Sequence, residues 1–253
     1  MAKPPPRLYT DKALAGGSVA LTQAQAHYLG TVLRLAPGAP LLLFNGRDGE
    51  WRASVGELTR KGGTASLAER TREQSSGPDL TLLFAPLKKG PTDLVVRMGT
   101  ELGVRAFRPV LTERTQAERV KTDRLALIAT EAAEQSERLD VPSVAAPVRL
   151  DEALAAAGPV VFCDEAGDDP SQRWGGGAGR GRPVAEALAD ANPGAWSVLI
   201  GPEGGFSPAE RDALRARPGT VAVTLGPRIL KAETACAAAL TLWQAALGDL
   251  RGA

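Results

Sequence analysis

The chain has 253 residues, with 30 Lys and Arg against 29 Asp and Glu, a formal charge of +1; that balance excludes a uniformly basic nucleic-acid binder and an acidic tail protein, though not a local basic patch. With 43% apolar and 23% charged residues, it can build the core of one large domain or two ordinary ones. Two cysteines, Cys163 and Cys236, and one histidine, His27, leave no disulfide framework and no Cys/His zinc site, so a reducing cytoplasm is expected; a carboxylate-based metal site stays open, although no metal is expected, and the absence of an apolar leader or a long apolar run predicts neither secretion nor a membrane span.

Charge is uneven along the chain. Residues 1–72 carry ten basic and five acidic side chains, +5, and the remainder carries 20 and 24, −4. The division suggests a basic module joined to a mildly acidic one. The basic part reads as β-rich. Thr22 is placed to cap a short helix running to Leu29. His27, beside Tyr28 and Leu29, is expected to pack as a structural residue. Leu41–Phe44 is a short apolar strand, and Asn45–Gly49 is a turn cluster, because Gly and Asn tolerate positive φ. Glu50–Val55 then alternates, with Trp51, Ala53 and Val55 on one face and Arg52 and Ser54 on the other, which predicts a hairpin in a small β-barrel.

Residues 73–79 are polar and include Gly77 and Pro78, so they read as a linker between a first domain of residues 1–72 and a second of residues 80–253. Beyond it, strands alternate with helices. Leu80–Ala85 is a strand, followed by a helix from about Pro91, with Asp93, Arg97 and Glu101 in one charged stripe and Leu94, Val95 and Met98 facing inward. Phe107–Leu111 is a strand. Asp123–Glu137 is a helix capped by Asp123. Pro159–Cys163 is a strand and Arg182–Ala189 is helical. Trp196–Ile200 and Val221–Leu225 are two further apolar strands, and a last helix spans Glu233–Leu247. Apolar strands alternating with helices imply an α/β fold whose parallel sheet is covered on both faces.

Two turns in this second part could carry chemistry. Gly201-Pro202-Glu203-Gly204-Gly205 follows the strand Trp196–Ile200 and precedes Ser207-Pro208-Ala209-Glu210, a capping box. Ligands of open α/β sheets bind at the carboxyl ends of strands, and glycines there admit a ligand to the backbone. An ordinary strand-to-helix turn would look the same. Leu225-Gly226-Pro227-Arg228-Ile229-Leu230-Lys231 follows the next strand, and the two turns could form one pocket. Arg228 is either part of it or a charge flanking the last helix. The Gly-rich run Gly175–Gly181 is separated from its strand by the polar residues 168–174 and reads as a flexible surface loop. No P-loop and no nucleophile elbow is present.

The same two turns, Leu199–Ser207 and Leu225–Ala235, resemble those of the bacterial RsmE-type family, ribosomal RNA small-subunit methyltransferases that act on N3 of a uridine. His27-Tyr28-Leu29 with Val32-Leu33-Arg34-Leu35, Thr100–Val104, and Glu134–Arg138 with Pro142 are similar to further family segments in the same order. Members often carry Lys where this chain has Met98, and Arg where it has Lys231.

The resemblance implies a SPOUT-type knotted methyltransferase domain behind a PUA-like RNA-binding domain, working as a homodimer on 16S ribosomal RNA or the small ribosomal subunit, at uridine 1498 in conventional RNA numbering. S-adenosylmethionine would be held by Leu199, Ile200, Gly201, Pro202, Glu203, Gly204 and Gly205 with Leu225, Gly226, Pro227, Ile229 and Leu230. For the transfer itself, Arg228 is expected to stabilise charge on the uracil oxygens or bind the target phosphate, and Glu203 or Glu233 to accept the N3 proton, with Glu203 equally able to serve as a turn-fixing residue. Arg7, Arg34, Arg52 and Lys231 would contact RNA. Two other readings stay open: an RNA-binding ribosome-assembly factor with a degenerate cofactor site, and a SPOUT ribose 2′-O-methyltransferase, for which residues 80–90 lack the expected Asn-x-Gly-x-x-x-Arg motif.

Overall fold

The computed structural model describes residues 4–116 and 119–251, with Lys89 described through its backbone alone. Its contacts divide the chain between Ser76 and Gly77 and also gather Thr130–Val141 into the first unit. That segment contains four acids and one base. The first unit therefore carries a net charge of only +1, not the +5 of its first 72 residues.

The first unit contains β1 (Arg7–Tyr9), β2 (Gly17–Leu21), α1 (Gln23–His27), a π-helical turn over Tyr28–Val32, β3 (Pro40–Phe44), β4 (Glu50–Thr59) and β5 (Gly62–Arg72). The sheet order is β1-β3-β4-β5-β2, antiparallel except for the β1–β3 pair. Ala53 and Val55 of β4 face a core that also holds Leu8, Leu29, Leu41 and Leu43, with Trp51 packed at its edge. Thr22 caps α1 in a full capping box with Gln25. Asn45 closes the hairpin: its Oδ1 accepts from the backbone N–H of Arg47 (3.0 Å) and of Asp48 (2.8 Å). His27 is exposed at the end of α1 rather than packed, because Ala26 and Leu29 fill the inward positions of that turn.

The second unit contains β6 (Leu80–Phe84), α2 (Lys89–Glu101), β7 (Ala106–Leu111), the first part of α3 (Thr122–Gln135), β8 (Ser143–Val144), β9 (Val148–Arg149), α4 (Leu150–Ala155), β10 (Val160–Cys163), β11 (Arg182–Pro183), α5 (Val184–Ala187), β12 (Trp196–Ile200), α6 (Pro208–Ala216), β13 (Thr220–Thr224) and α7 (Ala232–Leu247). Its sheet runs β11-β13-β10-β12-β6-β7-β8 with every neighbouring pair parallel. β10 and β12 are buried along their whole length, as strands covered on both faces must be. Phe162 meets Phe206 edge to face at 5.1 Å in a core shared with α4 and α6. Cys163 is one residue on, so it points to the opposite face, near Cys236 of α7.

Three expected details change. The buried face of α2 is Thr92, Val95, Val96, Gly99 and Thr100, so Leu94 points outward at 39% exposure. Asp123 lies in the first turn of α3 instead of capping it, and α3 ends at Gln135. Arg182 and Pro183 pair with β13 as a strand, which shortens the following helix.

Candidate functional site

The sheet order decides where the site lies. β10 sits between β12 and β13, so the two Gly-Pro turns leave strands that are not neighbours. The exit of β10, Asp164-Glu165, lies between them. Strand exits at this edge are where an open α/β sheet presents a ligand site, and a cavity of about 410 Å³ is found there. Ile200, Gly201, Pro202 and Glu203 form one wall, and Ile229, Leu230, Lys231 and Glu233 form another. Pro91, Cys163, Glu165, Trp174, Ala232 and Ala235 complete it.

The turn after β12 needs its glycines. Gly205 has φ +66°, and a Cβ there would stand 3.1 Å from Glu165 Oε1 and 3.2 Å from Trp174. A Cβ on Gly201 would meet the Phe206 ring at 2.6 Å. Ser207 then caps α6 with Glu210 in the expected box. On the opposite wall, Lys231 is the N-cap residue of α7 and places Glu233 in that helix's first turn.

Glu165 stands half-buried in the cavity wall. Burial pushes its carboxyl above the usual carboxylate range; the Asp164 carboxylate adds to the rise, and Arg211 and Arg180 oppose it. Cys163 beside it is an apolar wall residue, since burial pushes its thiol up and keeps it neutral. Asp164 is buried and clamped from α6: Arg211 Nε donates to Oδ1 at 2.9 Å and Arg215 Nε to Oδ2 at 2.9 Å.

The loop expected to be flexible is tied to this clamp. Gly167 N donates to Trp174 O (2.8 Å), Asp168 N to Ala178 O (2.8 Å) and Arg215 Nη2 to Gly179 O (2.7 Å). The Gly-rich run is thus folded back on residues 167–169, and it carries Trp174 into the cavity wall. The reading from sequence missed Glu165 and Trp174. The signal for Glu165 was available: it follows an apolar strand end, as the two Gly-Pro turns do.

The predicted site residues divide clearly. Ile200, Gly201, Pro202, Glu203, Ile229, Leu230, Lys231 and Glu233 line the cavity. Leu199 is buried in the sheet core. Gly204 O accepts from Arg114 Nη1 at 2.9 Å, and the Thr224 hydroxyl donates to Gly226 O at 3.2 Å, so both hold the loops instead of lining the cavity. Leu225, Pro227 and Arg228 lie beside it on the β13–α7 loop, with Arg228 exposed.

In the first unit, Arg7 is a structural clamp. Its Nε donates to Glu50 Oε2 at 2.7 Å, its Nη atoms donate to the carbonyls of Ala133, Glu134 and Arg138, and its guanidinium lies 4.6 Å over Phe44. Being buried and bonded internally, it is withdrawn from the RNA-contact set. Arg34 is exposed in a left-handed conformation (φ 55°), and Arg52 is exposed and paired with Glu69 at 2.6 Å. Among the described residues, no group of three or more His, Cys, Asp or Glu side chains is arranged to hold a metal ion.

A parallel sheet with a cavity at its strand exits, following a small antiparallel unit, matches two family models: "RNA methyltransferase domain" over residues 74–244 and "RNA methyltransferase PUA domain" over residues 21–67. Fold and site thus define a SPOUT-type RNA methyltransferase with a PUA-like N-terminal unit. The ribosomal RNA small subunit methyltransferase E of Synechocystis is 39% identical over 88% of this chain and 71% of its own length, and that of Rickettsia conorii is 29% identical over 92% and 93%. The crystal structure of the Neisseria gonorrhoeae enzyme of that name, bound to S-adenosyl methionine, superposes with a TM-score of 0.80 at 28% identity, covering 97% of this chain and 99% of that one. The chain belongs to the ribosomal RNA small subunit methyltransferase E family.

Proposed function

We propose that this protein transfers a methyl group from S-adenosylmethionine to N3 of one uridine in 16S ribosomal RNA. The observation that carries the reading is the cavity where the exits of β10, β12 and the β13–α7 loop meet. Its size falls in the range of about 300–1,000 Å³ typical of small-molecule sites. Its residues fit the cofactor: Ile200, Pro202, Ile229, Leu230 and Trp174 offer apolar wall for an adenosine, and Glu165 supplies a half-buried carboxyl group for a cationic ligand. S-adenosylmethionine supplies a methyl group on a positively charged sulfur.

The protein's own task is to position the uracil and manage its N3 proton. That proton must leave before N3 becomes a good nucleophile, and alignment supplies much of the remaining rate. Glu233, half-buried in the first turn of α7, is the better-placed proton acceptor; Glu203 is exposed on its turn. Arg228, exposed at the rim, stabilises charge on the uracil oxygens or holds the target phosphate. Arg34, Arg52 and Lys231 contact RNA.

The enzyme works as a homodimer in the cytoplasm. Leu94 of α2 and Leu242 of α7 are 39% and 38% exposed on helices that pack against each other, and a second copy would cover such side chains. No helix among the described residues is long and apolar enough to cross a membrane.

The test is incubation with purified small subunits and methyl-labelled S-adenosylmethionine. Label is expected in 16S RNA, and Arg228→Ala is expected to lose most of it. Binding to the small subunit with no S-adenosylmethionine binding by calorimetry would instead favour an assembly factor with a degenerate cofactor site. Sedimentation of the intact protein is expected to give a dimer, and a monomer at micromolar concentration would remove that part of the reading.

A further inference from the structure

We propose that a second cavity in the catalytic unit, lined by Lys88, Arg119, Lys121 and Arg124, binds a phosphodiester of the substrate RNA beside the target nucleotide. The proposal rests on the methyltransferase reading and adds to it a place for the RNA backbone. This cavity has a volume of about 280 Å³ and lies beyond β6, between the start of α2 and the start of α3.

Its charge is one-sided. Among the described residues, four lining side chains are cationic, and the one acid, Asp93, is held by Arg124 through two parallel hydrogen bonds. That pair fixes the Arg124 fork and leaves its own charge compensated. Lys88, Arg119 and Lys121 remain, all exposed and with no ion pair among the described residues. Three cations with no ion pair among the described residues, lining one concave surface, make an anion site.

The site is built rather than incidental. The Thr92 hydroxyl accepts from Leu87 N and donates to Leu87 O, both at 3.0 Å, closing the turn that carries Lys88. Among the described residues, the lining includes no aromatic side chain. It therefore offers nothing for a base to stack on, which favours backbone contact over base recognition.

Position connects it to the reaction. β6 and β12 are parallel neighbours with Phe84 opposite Ile200, so the segments that follow them leave the same edge of the sheet. The first turn of α2 divides the two cavities: Pro91 lines the donor cavity, and Thr92 and Asp93 line this one.

The experiment compares the full-length protein with a Lys88→Gln/Arg119→Gln/Lys121→Gln variant. Binding to 16S RNA transcript and to purified small subunits is measured across a series of KCl concentrations, alongside calorimetry with S-adenosylmethionine. The variant is expected to bind RNA about tenfold or more weakly, and its plot of log affinity against log salt is expected to flatten by about 1.4–2.1, the share of two to three phosphate contacts on a single strand. Cofactor affinity is expected to hold. Arg119→Lys, which keeps the charge, is expected to keep the salt slope. Unchanged RNA affinity and slope would overturn the proposal. So would an unchanged RNA affinity combined with lost binding of inorganic pyrophosphate, which marks a site for small anions. If the unaltered protein binds cofactor but neither binds nor methylates 16S RNA, the methyltransferase reading itself fails, and that is read before any variant is made.

Discussion

Glu165 is a carboxyl group that burial makes reluctant to ionise, and a cation bound next to it would reverse that preference. Cofactor binding should therefore release a proton at acidic pH, and affinity should rise with pH until Glu165 is ionised in the free protein. Glu165→Gln is expected to weaken S-adenosylmethionine about tenfold in calorimetry, and to weaken the product, whose sulfur is uncharged, much less. Equal losses for both would assign Glu165 a packing role. Glu134 of the first unit is a second perturbed acid. Burial raises it from 4.5 to about 7, against the opposing hydrogen bond from Tyr9 N. The folded state then holds a proton that the unfolded state has lost between about pH 4.5 and 7, so this group's contribution to stability falls as pH rises through that window. Glu134→Gln keeps an acceptor for Tyr9 N and is expected to raise stability at pH 8 by about 1–2 kcal/mol, with little effect at pH 4.5. Thermal unfolding at the two pH values reads the difference.

At the scale of elements, α6 is a brace as well as a crossover. Its arginines hold buried Asp164 and the backbone of residues 166–179, and so hold Glu165 and Trp174 in the cavity wall. Arg211→Ala leaves Asp164 with Arg215 alone, and is expected to cost about 2–3 kcal/mol of stability and to weaken cofactor binding. Full cofactor affinity at normal stability would detach the brace from the site. The elements themselves were largely legible: β6, β12 and β13 are apolar-rich runs followed within three residues by Gly or Pro, β10 is an apolar run ended by the acidic pair Asp164-Glu165, and the caps of α1 and α6 are written in Thr22 and Ser207. What one-dimensional reading lacks is spatial order. Nothing in the chain says that β10 lies between β12 and β13, so the two Gly-Pro turns looked adjacent and Glu165 went unnoticed. Leu94 was misplaced for a related reason. Helical periodicity gives the stripe but not which of two flanking apolar positions the neighbouring helix covers.

The whole molecule recasts the charge pattern. The basic excess of residues 1–72 is offset by the acidic segment 130–141 that packs into the same unit. Some of that excess is internal, as in the Arg7–Glu50 pair, so Arg7 belongs to stability and not to RNA. Charge reversal at Arg34 and Arg52 is expected to weaken RNA binding in a salt-dependent way while leaving cofactor affinity intact. Loss of cofactor affinity in that variant would contradict the division of tasks between the units.

The most direct measurement is nucleoside mass mapping of 16S RNA from small subunits that lack the modification, after incubation with this protein and S-adenosylmethionine. The expected product is N3-methyluridine at a single position, absent when the protein or cofactor is left out. A 2′-O-methylated ribose at that position, or no methylation by a protein that binds the cofactor, would contradict it.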